Sequence, residues 1–317
     1  MTEDLFHVLK TANRLPTPPG VAIRIFQLVE SEDTTLEDLT QVISSDPALT
    51  AKILKYINSP LVGLGFHGST LQEAVARIGV RGTQMMALSF SLISQGQAKS
   101  CPSFNFDRFW SESLARGVAA RRLAEEVGGW DGEEAFIAGL VGRIGQLALS
   151  TGMPDEYEPV LNGSVHEELP LEAREKTVFG ADHVEVSINL LKDWQLPEAV
   201  WTSIRGLNQP GDQTGDEPPN LPGQILGLAD AVAAFLVAEE SHNSESIQKL
   251  SEMPMREAGI EPEAFQELIS GVSEDWVSYA RLFSLKAHSA PDFDAIAREA
   301  EEQRSALSLA SEIEVQG

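Results

Sequence analysis

The stretch from Glu133 to Leu149 most constrains what this chain can fold into. Apolar residues fall at Phe136, Leu140, Val141, Ile144, Leu147 and Ala148, which is a helical period. Small residues on both faces, Ala138, Gly139 and Gly145 among them, let neighbouring helices approach closely. The reading is a buried helix running unbroken from Glu133 to Thr151. Gly139, Gly142 and Gly145 recur at spacing three, but no Gly-Lys-Ser/Thr follows and the helix is expected to continue, so this is close packing and not a phosphate loop. No alternating strand pattern and no repeat period accompanies it. The expected fold class is all-α.

The rest of the chain supports a core for such a helix. Hydrophobic residues make up 42% and aromatics only 7%, so Leu, Val, Ile and Ala must supply most of the interior. Formal net charge is −25. Such a surface repels phosphate backbones and anionic lipid, which excludes nucleic acid and membrane surfaces as expected partners. One cysteine, Cys101, cannot form an internal disulfide and suits a reducing compartment. The first residues are acidic and lack the basic-then-apolar pattern of a signal peptide, and no uncharged apolar run reaches the roughly 18 residues of a membrane span. A soluble, bacterial-type cytoplasmic protein is expected.

Helix punctuation is dense in the first third. Leu15-Pro16-Thr17-Pro18-Pro19-Gly20 is an extended lead-in to a helix starting near Pro18 or Pro19, with Val21, Ile25, Leu28 and Val29 on one face. Thr34 or Thr35 caps a second helix with Leu36, Leu39, Val42 and Ile43 inward. Asp46-Pro47 is a cap followed by proline at the first helical position, and Leu49, Ile53, Leu54 and Ile57 form the next stripe. Asn58-Ser59-Pro60 ends it, with Asn58 suited to a left-handed cap. Gly63, Gly65 and Gly68 form a loop. Ser69 or Thr70 then caps Leu71 to Ile78, Gly79 ends that helix, and an apolar helix spans about Thr83 to Gln95. Further helices are expected over 107–127, 171–179, 184–194, 197–206 and 221–236. Gln209 to Leu221 is a loop, Glu239 to Ser246 a linker, and two or three helices follow around Phe265, Leu268, Ile269, Trp276, Leu282 and Phe283. Ser311 to Gly317 is a frayed end.

Leu15-Pro16, Ser45-Asp46-Pro47-Ala48-Leu49-Thr50, Asn58-Ser59 and Leu71-Gln72-Glu73-Ala74-Val75 leading into Ile78-Gly79 follow one another in the order and spacing of the HDOD family, which this chain closely resembles up to about residue 210. The resemblance implies a multi-helix, HD-domain-like bundle with additional C-terminal helices. It divides the chain into an N-terminal helical subdomain (1–100), a degenerate HD-like subdomain (101–240) and a C-terminal extension (241–317).

HD phosphohydrolases hold a metal with His and Asp side chains from several helices, lowering the pKa of bound water. The resemblance places those positions at Glu112, Gly142-Arg143, His183, Leu207-Asn208 and Asp230. His183 and Asp230 keep ligand-type side chains; the His-Asp pair itself is Gly142 and Arg143. Catalytic zinc sites use three protein ligands, and a fixed arginine charge repels a dication. The expectation is therefore no metal, no cofactor and no catalytic residue. Glu112 is either a carboxylate ligand or a salt-bridged surface glutamate, and His183 either a leftover ligand or a helix-start residue held by a neighbouring hydrogen bond. Asp230, flanked by Leu228, Ala229, Ala231 and Val232, needs a partner if buried. Arg143 either occupies the vacated metal position, paired with Asp230 or Glu112, or is an ordinary exposed arginine.

Arg116, Arg121 and Arg122 either bind an anion or pair with Glu125, Glu126 and other acids on a solvated face. Met85-Met86 and the five tryptophans read as packing residues. What the resemblance implies for function is a non-catalytic bacterial signal-transduction regulator that binds protein partners. A nucleotide sensor using the old pocket and a metal-dependent phosphohydrolase are the rivals.

Overall fold

A computed structural model describes residues 2–11, 20–29, 35–62, 70–93, 101–208, 221–238, 262–285 and 287. The described residues are helical and contain no strand. α1 (Thr2–Thr11), α2 (Gly20–Val29), α3 (Leu36–Ser44), α4 (Pro47–Ile57) and α5 (Leu71–Ile93) come first, with a 3-10 turn at Pro60–Val62. α6 (Phe106–Val127), α7 (Gly132–Val141), α8 (Ile144–Gly152), α9 (Pro154–Leu161), α10 (Leu171–Phe179), α11 (His183–Asp193), α12 (Glu198–Ser203) and α13 (Leu221–Val237) follow, with a second 3-10 turn at Ile204–Asn208. α14 (Pro262–Phe283) is the last described helix.

In the first lobe α2, α3 and α4 pack on α5. Its caps are those the sequence signals. Thr35 and Asp38 form a reciprocal capping box, and Asp46 Oδ1 accepts from the amides of Ala48 and Leu49 at 2.9 and 3.0 Å. Leu39, Ile43, Leu49, Ile53 and Ile57 are buried. Leu36 is not; the inward stripe starts one turn later, at Leu39. Asn58 does not take the left-handed conformation expected of it. It sits at φ −91° and caps instead by donating its side-chain amide to the Leu54 carbonyl at 2.8 Å. Gly79 ends the first part of α5 as expected: its φ of 78° and ψ of 176° are non-helical, a conformation glycine adopts freely, and a second helical part continues from there to Ile93. The lead-in at 12–19, the loop at 63–69, the linker at 239–246, the Phe265 side chain and the tail at 311–317 lie outside the described residues.

The second lobe is built on α6, with α7 and α13 packed along it and α11 against α8. α1 lies on α8, where Leu9 is fully buried, and Lys10 reaches Asp193 at the end of α11. α9 was not expected from the sequence. The region after 247 contributes one described helix, α14, with Leu268, Ile269, Trp276 and Leu282 buried. Met85, Met86, Trp110, Trp194 and Trp276 are core residues. By length and composition residues 132–152 resemble a membrane span, but 83% of that window is buried inside the protein.

Candidate functional site

The expected single helix from Glu133 to Thr151 is two. α7 ends at Val141, α8 begins at Ile144, and Gly142-Arg143 forms the turn between them, with Arg143 at φ −110° and ψ 19°. A break exposes amides that an unbroken helix would satisfy. One of them, on Gly145, donates to Ser187 Oγ of α11 at 2.8 Å, and that hydroxyl donates in turn to the His183 carbonyl at 2.8 Å. The α8 and α11 backbones touch here: a Cβ on Gly145 would lie 2.0 Å from the His183 carbonyl oxygen. Only glycine permits this crossing. It sets Arg143 beside the first residue of α11.

Arg143 is the centre of the site, and its side chain is 15% exposed. It forks onto Asp230 of α13, Nε to Oδ1 at 3.1 Å and Nη2 to Oδ2 at 2.7 Å. Nη1 lies 2.9 Å from His183 Nε2 and 3.5 Å from Glu172 Oε1. A guanidinium donates and never accepts, so His183 Nε2 is the acceptor. Its ring proton is then on Nδ1, which donates to Glu175 at 2.6 Å; the His183 backbone amide donates to the same oxygen at 2.8 Å. Tyr157 donates to the other Glu175 oxygen at 2.5 Å. A second guanidinium, Arg116, meets Asp230 Oδ1 at 2.6 Å, approaches Glu112 at 3.5 Å and donates to the Gly139 carbonyl at 3.3 Å.

Burial alone would raise the Asp230 carboxyl, but the Arg143 and Arg116 charges outweigh it and hold the group well below the usual carboxylate range. Burial opposes the charge on Arg143 as well; Asp230 overcomes it, and the guanidinium is held above its ordinary value. Burial, then Glu175, push the Tyr157 hydroxyl well up.

These contacts give each of the sequence-predicted positions its neighbours. Arg143 is paired with Asp230 and does not point into solvent. His183, fully buried at the start of α11, is held by Glu175. Glu112 pairs with Arg116 and, at 3.9 Å, Arg108. Leu207 is buried, and its Cδ1 lies 2.6 Å from where a Gly142 Cβ would be, so these two positions fill each other's space. The Asn208 side chain lies outside the described residues.

Arg116 is a correction: it is 1% exposed and belongs to this network, not to a solvated face. The signal was its setting, between Leu114-Ala115 and Gly117-Val118. Arg121 pairs with Glu125 as expected, and Arg122 with Asp275. Tyr157, Glu172 and Glu175 carried no sequence signal. Among the described residues no group of three or more His, Cys, Asp or Glu side chains is placed to hold a metal ion.

Comparison with known proteins agrees with this architecture. The HDOD domain profile matches residues 15–210. An uncharacterized protein of Treponema pallidum (strain Nichols) is 26% identical over 192 residues, 60% of this chain; the chain spans 37% of that relative's length. An HDOD domain protein of unknown function from Geobacter sulfurreducens superposes with a TM-score of 0.68 at 20% identity, covering 90% of this chain and 100% of its own. A Shewanella amazonensis SB2B structure, provisionally described as a phosphohydrolase, gives 0.66 at 20% identity over 87% and 97%. A Marinobacter aquaeolei VT8 structure, provisionally described as a signal transduction protein, gives 0.65 at 21% over 89% and 66%. At these identities the structural likeness speaks for the fold alone.

Proposed function

This chain belongs to the HDOD domain family, and from that premise we propose that it is a non-catalytic regulator of signal transduction, acting in the cytoplasm through protein partners on an HD-type scaffold that has lost its metal site. The observation carrying this reading is the fork of Arg143 onto Asp230 with His183 Nε2 as its third acceptor. The residues present do not fit a divalent cation. Both surviving ligand-type side chains spend their lone pairs on a guanidinium, and a dication beside it would meet a like charge in a poorly solvated place. Glu175 orients the His183 ring as a second carboxylate orients a metal-bound imidazole, but the proton-bearing group it faces is Arg143. The network therefore supports a scaffold role for this site. The net charge of −25 favours basic partner faces and speeds encounter with them.

Two measurements on the full chain test the proposal. Metal analysis and a phosphodiesterase assay with added Mn²⁺ should find neither a stoichiometric metal nor turnover; finding both would replace this reading with the phosphohydrolase one. Crosslinking of the tagged chain in its host should return a reproducible protein partner, and a nucleotide thermal-shift screen should return none. Nucleotide stabilisation without any crosslinked protein would favour a small-ligand sensor instead.

A further inference from the structure

α14 lies beyond the residues the HDOD profile matches, yet it contacts both lobes. From the first lobe, the Tyr56 ring of α4 stacks on Tyr279 at 6.0 Å with the hydroxyls 3.3 Å apart, and Phe90 of α5 meets Phe283 at 4.6 Å. From the second lobe, the Ser111 carbonyl of α6 accepts the Trp276 indole N–H at 3.2 Å, and Arg122 closes on Asp275 through Nε at 2.8 Å and Nη2 at 2.7 Å. Phe136 of α7 packs 5.7 Å from the Tyr279 ring. The Tyr279 hydroxyl is where these contacts cross. Arg121 donates to it at 3.2 Å while holding Glu125 at 3.0 Å and Glu133, in the first turn of α7, at 3.1 Å. Burial, then Tyr56, hold the Tyr279 hydroxyl well above its usual range; it accepts from Arg121 and shares a hydrogen bond with the Tyr56 hydroxyl in which either group can donate.

α6 and α7 connect this junction to the Arg143 network. α6 carries Arg121 and Arg122 towards one end and Glu112 and Arg116 towards the other; α7 starts beside Glu133 and ends just before Arg143. The two helices are in backbone contact at two glycines. A Cβ on Gly139 would lie 2.7 Å from the Arg116 carbonyl oxygen, and one on Gly117 would lie 3.0 Å from that of Phe136. We propose that α14 is a strap that fixes the angle between the lobes, with Tyr279 as its pin, and that the interlocked α6–α7 pair carries a change at that pin to the Arg143–Asp230 fork. The strap rests on the α14 contacts and not on the partner reading above; only the fork at its far end is common to both.

The test uses the full chain with spin labels on cysteines introduced at Lys55 of α4 and Glu126 of α6, both exposed. Cys101 is buried and its thiol is pushed up to about 11, chiefly by burial, so it is spared by the label. Tyr279→Phe should broaden or shift the inter-label distance distribution that the unsubstituted strap keeps narrow. Its effect on the unfolding equilibrium constant should also fail to multiply with that of Arg143→Lys, departing by more than about threefold where independent sites agree within about twofold. Should Tyr279→Phe not fold, Trp276→Phe and Tyr56→Phe, each removing one hydrogen bond, carry the same two measurements. An unchanged distribution, or effects that simply multiply, overturns the strap.

Discussion

Two buried clusters in this protein pair arginine with a carboxylate, and they reach opposite outcomes. Asp230 and Glu133 have nearly the same exposure, 23% and 22% of the side chain, so depth does not distinguish them. Asp230 receives two guanidiniums, and both of its oxygens are bonded. Glu133 shares its single Arg121 with Glu125 and the Tyr279 hydroxyl, and its Oε2 is buried with no hydrogen-bond partner among the described residues. Asp230 is driven well below the carboxylate range; burial raises Glu133, and Arg121 does not fully reverse it. At nearly equal side-chain exposure, the supply of donors sets the sign of the shift. The Asp230 carboxylate is saturated with donors, whereas the junction under α14 leaves one buried carboxylate oxygen short of a donor among the described residues.

The largest effect should come from removing the donor that saturates the first cluster. Arg143→Ala strips two bonds from Asp230 and one from His183, and leaves buried acids short of positive charge. Urea unfolding at neutral pH should show a loss of about 3–5 kcal/mol, the range for breaking a buried pair on one side. The same saturation predicts acid lability. A carboxyl whose folded pKa is depressed contributes stability that is complete above its unfolded value of about 3.9 and is lost as pH falls below it. Asp230→Asn should therefore flatten the acid limb of a stability-versus-pH curve, and an unchanged limb would mean that the Arg116 and Arg143 charges do not act on this group. Arg121→Ala should cost less, about 1–3 kcal/mol, because the carboxyl left behind is already shifted towards taking up a proton. If Arg121→Ala proves as costly as Arg143→Ala, donor supply is not what separates the clusters.

Much of this was legible in the residues themselves. Thr35 and Asp46-Pro47 mark helix starts by chemistry that works locally, and α10 runs from Leu171 to Phe179 as its pattern indicates. The family resemblance puts Arg143 at the vacated metal position and leaves Asp230 or Glu112 as its partner, with an exposed arginine as the alternative; the structure pairs it with Asp230. The break at Gly142-Arg143 was hidden, since Phe136, Leu140, Val141, Ile144 and Leu147 stay in one helical phase straight through it. Its cause is tertiary: the Gly145 amide satisfied by Ser187 of a distant helix. Glu175 was hidden for the opposite reason. It sits in a short polar helix where nothing marks one glutamate as fully buried, and only the approach of His183 and Tyr157 gives it a role. Reading Arg116 with Arg121 and Arg122 as one basic group misplaces it, because a separation of five and six residues is about one and a half helical turns and puts it on a different face.

The smallest effect sharpens the contrast most, because it isolates the sign. A carboxyl whose folded pKa is raised binds protons more tightly folded than unfolded. Stability attributable to Glu133 is therefore highest below the unfolded value of about 4.3 and declines as pH rises through the window between the two values. Glu133→Gln removes the ionisation while keeping an oxygen to accept from Arg121. At neutral pH it should change stability by less than about 1 kcal/mol, the scale of a single hydrogen bond. It should also remove a decline that sets in as pH rises above about 4.3, leaving the acid limb owed to Asp230 in place. Were Glu133→Gln to flatten the acid limb instead, the two carboxylates would be behaving alike, and equal exposure rather than unequal donor supply would be the simpler account of both.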